Sequence, residues 1–166
     1  MRLSLLRHGI ATERGSPGYE DDSQRPLTAK GQRRMWRAAE GMLALGVTCD
    51  LLLSSPYLRA RQTAEIVAQV LKIADGTHLS ATLAPDGNPK QLIEELRTDG
   101  RAQHIMLVGH EPYLSRLTSM LLTGSPNLTV VMKKGGLCTL DLETLRFGRC
   151  ARLAWLLTPR QLRRLA

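Results

Sequence analysis

Three short stretches carry side chains suited to holding and transferring one phosphoryl group. Arg7 and His8 lie in Leu6-Arg7-His8-Gly9, Arg59 in Ser55-Pro56-Tyr57-Leu58-Arg59-Ala60, and His110 in Gly109-His110-Glu111-Pro112. Guanidinium forks pair with phosphate oxygens two at a time, and an imidazole acts as nucleophile, acid or proton donor near neutral pH. An isolated Arg-His-Gly tripeptide reads equally well as a turn. What gives it weight is recurrence: each stretch follows an apolar run with strand character, and each is followed by a helical pattern.

The carboxyl ends of the strands of a parallel sheet share one rim, so residues distant in sequence converge there. The elements that would build such a sheet are readable in order. A strand starts at the second or third residue and ends at Arg7. Thr12 to Arg25 is polar and rich in Gly, Pro, Asp and Ser, a loop long enough to lie over a site. Thr28 caps a first helix with Met35, Ala39 and Met42 on its inner face, ended by Gly46. Asp50 to Ser55 is a short buried strand, and Pro56 opens a second helix whose inner stripe is Ala60, Ala64, Val67 and Leu71.

Leu79 to Leu83 reads as a brief edge strand between the turns Asp75-Gly76 and Asp86-Gly87-Asn88-Pro89. A third helix, capped by Asn88, runs from Pro89 to about Thr98 and ends at Gly100. His104 to Val108 is almost wholly apolar, as a central strand covered on both faces must be. A fourth helix runs from near Pro112 to about Leu122. Leu137 to Glu143 and Ala151 to Leu157 form a hairpin or neighbouring strands, and the leucines of the basic tail Arg160 to Ala166 pack inward. Alternating strands and helices predict an α/β fold with a mostly parallel sheet between helical layers and antiparallel additions late in the chain.

The 166 residues suit a single domain over 1–166. With 43% apolar and 23% charged residues the composition is that of a globular protein. No apolar run is long enough for a membrane helix, and Met1-Arg2-Leu3 leads straight into the strand, so a cytoplasmic protein without membrane association is expected. A net charge of +8 draws anions. It does not indicate nucleic acid, because aromatics at 4% are too few for stacking platforms. Cys49, Cys138 and Cys150 have no metal-ligand spacing and are expected as reduced thiols, with a Cys138 to Cys150 bridge as the alternative.

Leu6-Arg7-His8-Gly9-Ile10-Ala11, Arg25-Pro26-Leu27-Thr28 with Gly31, Ser55 to Thr63, and Val108-Gly109-His110-Glu111-Pro112 together resemble the histidine phosphatase superfamily, and within it the small SixA-type phosphohistidine phosphatases. The match spans nearly the whole chain in the family's order. It implies a three-layer α/β/α sandwich of the phosphoglycerate mutase-like kind and a phosphoryl transfer in which His8 becomes phosphorylated. Arg7 and Arg59 would hold the phosphoryl oxygens, His110 would donate to them, and Arg25 would add a further phosphate contact. It also implies no metal and no cofactor. Physically, His8 needs one bare nitrogen aimed at phosphorus, and a backbone carbonyl at the Gly9 turn could fix its other nitrogen.

Members acting on phosphate esters usually carry an acid, often Glu, after the second helix. Here that stretch is Leu83-Ala84-Pro85-Asp86-Gly87-Asn88-Pro89. An alkoxide leaving group wants a proton, whereas imidazole, with a conjugate-acid pKa of about 6.5, wants far less help. The expected substrate is therefore a phosphohistidine-bearing protein, bound by a monomer with an open, shallow site. One alternative is a small phosphate ester or phosphoramidate with Asp86 as the acid. Another is a non-catalytic phosphate-binding module. Glu111 either touches the site or supplies negative charge to the start of the fourth helix. His78 and His104 occupy bland positions, and Lys133-Lys134-Gly135 reads as a solvated turn before a strand.

Overall fold

The computed structural model describes residues 1–99 and 102–166. Burial along β1 (Arg2–Arg7) comes from apolar side chains on both faces, with Leu3 and Leu5 in one core and Leu6 in another. The same division runs through β4 (His104–Gly109), where Ile105 and Leu107 face one layer and Met106 and Val108 the other. Period-two side-chain alternation on a strand buried on both faces requires a helical layer on each side.

One layer holds α1 (Ala29–Ala44), α2 (Leu58–Leu71) and the short terminal α5 (Pro159–Leu165), whose Leu162 is fully buried beside Met35, Ala39 and Met42. The other holds α3 (Pro89–Asp99) and α4 (Tyr113–Thr123), which contribute Leu92, Ile93, Leu96, Leu114, Leu117 and Leu121. Between them lie β1, β2 (Leu51–Ser54), β3 (His78–Leu79), β4, β5 (Leu137–Leu142) and β6 (Ala151–Leu157) in the order β3-β2-β4-β1-β5-β6. The first four are mutually parallel, while β5 runs antiparallel to β1 and pairs antiparallel with β6. This is the expected three-layer α/β/α sandwich.

Local chemistry sets most of the element ends. Thr28 caps α1 by accepting from the Gly31 N–H at 3.0 Å, and its own N–H donates to the Ile10 carbonyl at 3.0 Å. That carbonyl lies so close that a Cβ on Gly31 would stand 1.9 Å from its oxygen, which accounts for glycine there. Asn88 caps α3 by accepting from Lys90 N–H at 2.9 Å, and Gly124 ends α4 in the left-handed region that favours glycine. Gly100, the expected end of α3, lies outside the described residues.

Two expectations are corrected. Pro56 precedes α2 instead of opening it: Tyr57 is the cap residue and Leu58 the first helical one. The edge strand is only His78–Leu79, because Ser80 turns the chain into a 3-10 turn over Ala81–Leu83 and anchors it through a 2.7 Å bond to Glu95 Oε2. The three cysteines are free thiols, as expected, with Cys138 buried inside β5.

Candidate active site

Sheet register brings the three stretches together. Arg7 ends β1 opposite Gly109 of β4, and the His8 N–H donates to the Gly109 carbonyl at 3.0 Å, so His8 and His110 leave neighbouring strands side by side. Their ring centroids are 5.1 Å apart. Ser55 N–H donates to the Val108 carbonyl at 2.9 Å, carrying the end of β2 and the start of α2, with Arg59, to the same rim. Arg7, His8, Arg25, Arg59 and His110 all line one cavity of about 330 Å³.

His8 is 6% exposed and its Nδ1 lies 2.7 Å from the Gly9 carbonyl oxygen. A carbonyl can only accept, so Nδ1 carries the proton and Nε2 is the bare nitrogen; it has no protein partner among the described residues. Gly9 does not occupy the left-handed region. Glycine is needed there because a Cβ would lie 2.6 Å from Met35 Cγ. The turn is pinned further by Thr63, whose Oγ1 accepts from Gly9 N–H at 3.0 Å and donates to the Arg59 carbonyl at 2.7 Å. On the other side the Gly135 N–H donates to both the Arg7 and His8 carbonyls, at 3.0 and 3.1 Å.

Burial, above all, pushes the His8 imidazole well below its usual pKa, with His110, Arg59 and Arg7 acting the same way against the Gly9 bond. Burial likewise brings His110 down to about 3, helped by Arg59. Both rings are thus neutral at pH 7. His110 Nε2 and Ser55 Oγ share a 2.8 Å hydrogen bond, while Nδ1 is buried without a partner.

Arg7 reaches the Met132 carbonyl through Nη1 at 2.8 Å. Arg59, only 3% exposed, is held from the loop: Nη1 donates to the Asp22 carbonyl at 2.6 Å and Nη2 to Asp22 Oδ2 at 2.9 Å. Its guanidinium also stands over the Tyr57 ring. Asp22 Oδ1 accepts from Arg14 Nε at 3.0 Å and Arg25 Nε at 2.9 Å. Although burial opposes its ionisation, the hydrogen bonds from these three arginines hold the carboxyl at about 2. Arg25 therefore reaches the cavity as part of an Asp22-centred cluster, and Gln62 fastens its loop by accepting from the Leu27 N–H at 2.7 Å.

Asp86 is exposed on the turn after Pro85. Pro85 lines the cavity and Asp86 does not, so the candidate acid is not brought to the cluster. Glu111 does both things considered for it: it lines the cavity, and its Oε1 accepts from Ser115 N–H at 3.1 Å in the first turn of α4. Lys134 also lines the cavity and is more than a solvated turn residue. His78 and His104 stay away from the cluster, on β3 and at the start of β4 beside Thr48. Among the described residues no three His, Cys, Asp or Glu side chains group as a metal site, and no helix is long and apolar enough to cross a membrane.

Sequence reasoning missed Asp22, Ser55 and Thr63. Ser55 and Thr63 sit inside the second stretch and were visible as motif residues without a role. Asp22 sits in an aperiodic polar loop and gave no signal.

Around the cavity Arg7, Arg14, Arg25, Arg59 and Lys134 stand against Glu13 and Glu111. Such a wall favours a tetrahedral oxyanion beside a bare imidazole nitrogen, the setting for phosphoryl transfer. Residues 3–80 match the family model of the histidine phosphatase superfamily, branch 1. The chain belongs to the histidine phosphatase superfamily, whose phosphatase fold it shares.

Within that class it is 35% identical over 139 residues to an uncharacterised protein of a Picosynechococcus strain, covering 82% of each chain. It is 28% identical over 127 residues to the phosphohistidine phosphatase SixA of Escherichia coli, covering 75% of this chain and 76% of that one. Its fold overlays that of the protein histidine phosphatase SixA complexed with tungstate with a TM-score of 0.81, at 24% identity over 98% of this chain and 99% of that chain.

Proposed function

We propose that the chain is a phosphohistidine phosphatase that acts on a phosphorylated protein through a phospho-His8 intermediate. The observation that carries the chemistry is the 2.7 Å bond from His8 Nδ1 to the Gly9 carbonyl, which leaves Nε2 bare beside two arginines and His110. The likeness to the Escherichia coli phosphohistidine phosphatase SixA supports the substrate.

In the first step His8 Nε2 attacks phosphorus and a new N–P bond forms as the substrate's N–P bond breaks. The substrate imidazole, protonated on its other nitrogen, departs neutral. Water then attacks the same phosphorus, the His8 N–P bond breaks with its electron pair returning to Nε2, and inorganic phosphate leaves as dihydrogen phosphate, carrying both protons of the water. Arg7 and Arg59 hold the equatorial oxygens, and His110 donates an N–H to the same group. Electrostatic stabilisation of this kind supplies most of the acceleration in phosphoryl transfer. Arg25 acts through Asp22, keeping Arg59 in place.

The cavity wall near Pro85 supports a leaving group that needs no acid, since Asp86 is turned to solvent. Asp86→Asn should leave hydrolysis unchanged. A large loss on phosphate esters with phosphoramidate turnover intact would favour a small-ester phosphatase.

The direct test is phosphate release from a phosphorylated histidine carrier protein, compared with a panel of phosphate esters. Efficient ester hydrolysis without turnover of the phosphoprotein overturns the substrate. His8→Ala should abolish both turnover and acid-labile phosphorylation of the enzyme. Labelling that survives the substitution removes His8 as nucleophile.

A further inference from the structure

Beside the catalytic cavity a second groove of about 160 Å³ runs between α1 and α5. Its wall carries Arg34 from α1, Lys133 and Lys134 from the turn before β5, and Arg160 and Arg163 from α5, with no carboxylate and no aromatic ring. None of these five cations forms an ion pair among the described residues. Burial lowers the pKa of Arg163, and the nearby Arg34, Arg37 and Arg160 lower it further.

The groove and the catalytic cavity adjoin. Lys134 belongs to both walls. Gly9, in the groove wall, follows the His8 of the cavity, and Gly135 ties the lysine turn to the carbonyls of Arg7 and His8. Whatever anionic body sits in the groove lies next to the group presented to His8.

At about 160 Å³ the groove is well below the roughly 300–1,000 Å³ that encloses a small organic ligand. Its cations come from three separate elements, a spacing suited to several carboxylates projected from a folded surface. We infer that this groove docks an acidic face of the protein that carries the phosphohistidine, orienting it so that the phosphoryl group enters the neighbouring cavity. The inference rests on the phosphohistidine reading and adds the chemistry by which the partner is recognised. Charge complementarity of this kind acts on encounter and orientation more than on the chemical step.

The test compares a phosphorylated histidine carrier protein with phosphoimidazole, which is too small to reach the groove while occupying the cavity. Arg34 and Arg160 are exposed, so R34E/R160E should fold, and phosphoimidazole turnover reports that directly. The expected result is a tenfold or greater loss of kcat/KM on the phosphoprotein, mostly in KM, with a flattened salt dependence and unchanged phosphoimidazole hydrolysis. The milder R34A/R160A should lose less in the same direction.

Unchanged phosphoprotein kinetics in both variants, or an equal loss on both substrates, overturns the docking role while leaving the activity in place. Duplex DNA bound by the native protein and released by R34E/R160E, with phosphoprotein kinetics unchanged, assigns the groove to nucleic acid instead. Phosphoimidazole turnover without any phosphoprotein turnover by the native protein overturns the functional reading itself.

Discussion

Asp22 Oδ2 lies 2.9 Å from Arg59 Nη2, so a loop carboxylate already holds a guanidinium that lines the proposed phosphoryl site. It fixes the fork, and it also places a negative charge beside a site meant for an anion. Asp22→Asn keeps the backbone carbonyl contact to Arg59 and removes the charge. Vanadate or phosphate should then inhibit about tenfold more tightly, because a nearby charge repulsion is lost. Turnover should fall as Arg59 loses its fixed geometry. An inhibition constant equal to that of the native protein would contradict this balance.

The same carboxylate has a stability consequence in acid. Its folded pKa of about 2 lies below the unfolded value of about 3.9, so its contribution is complete above the unfolded value and is lost as pH falls towards 2. A two-unit shift corresponds to at most ~2–3 kcal/mol, which solvent screening of a partly exposed group reduces to about 1 kcal/mol. Urea unfolding of Asp22→Asn should therefore show a shallower decline between pH 4 and 2 than the native chain.

His8 and His110 act in a higher window. Both folded pKa values lie below the unfolded value of about 6.5, well below for His8 and at about 3 for His110. The unfolded chain therefore binds more protons as pH drops. Stability from the neutral rings is complete above about 6.5 and declines progressively below it. In NMR titrations His110 should not change protonation between pH 5 and 8 and His8 should titrate well below 6.5, whereas bound phosphate should raise the pKa of His110. A midpoint near 6.5 for either ring in the free protein would exclude the neutral pair.

Ser55→Ala removes the only partner of His110 Nε2 among the described residues. An unsatisfied buried nitrogen costs about 1–3 kcal/mol, so kcat should drop roughly tenfold with little change in KM. Ser55→Thr, which keeps the hydroxyl, should recover part of the loss. Full activity of the alanine variant would show that His110 needs no orientation from Ser55.

Gly9→Ala brings a methyl to within 2.6 Å of Met35 Cγ and 3.2 Å of Leu27 Cδ2. Overpacking of this kind costs about 1–3 kcal/mol, which for a domain of this size lowers Tm by several degrees. Combined with Met35→Ala, the loss should be less than the sum of the two single changes, since the second makes room for the first. Strict additivity in thermal unfolding would place the cost elsewhere.

The α/β architecture was legible in the sequence because strand and helix periods are local. The apolar runs ending at Arg7, Ser54 and Gly109 and the stripe through Met35, Ala39 and Met42 appear in the fold where their spacing puts them. Caps were equally readable at Thr28 and Asn88, where a side chain and a backbone N–H a few residues apart decide the outcome. Short-range reasoning failed where a contact from outside the segment intervened. Glu95 draws Ser80 away from an edge strand, and the close approach of the Ile10 carbonyl, which accounts for glycine at position 31, has no local signal.

For the site, the sequence by itself determined Arg7, His8, Arg59 and His110 as a set, because each sits at the end of a strand and the strands of a parallel sheet share a rim. Only the tertiary structure decided what surrounds that set. It selected Asp22 as the counter-charge of Arg59, Ser55 as the partner of His110 and Thr63 as the pin of the His8 turn, and it left Asp86 in solvent. The physical reason is that a hydrogen bond or ion pair depends on distance in space. An aperiodic polar loop from Thr12 to Arg25 carries no sequence signal for which of its carboxylates folds back onto an arginine 37 residues further along the chain.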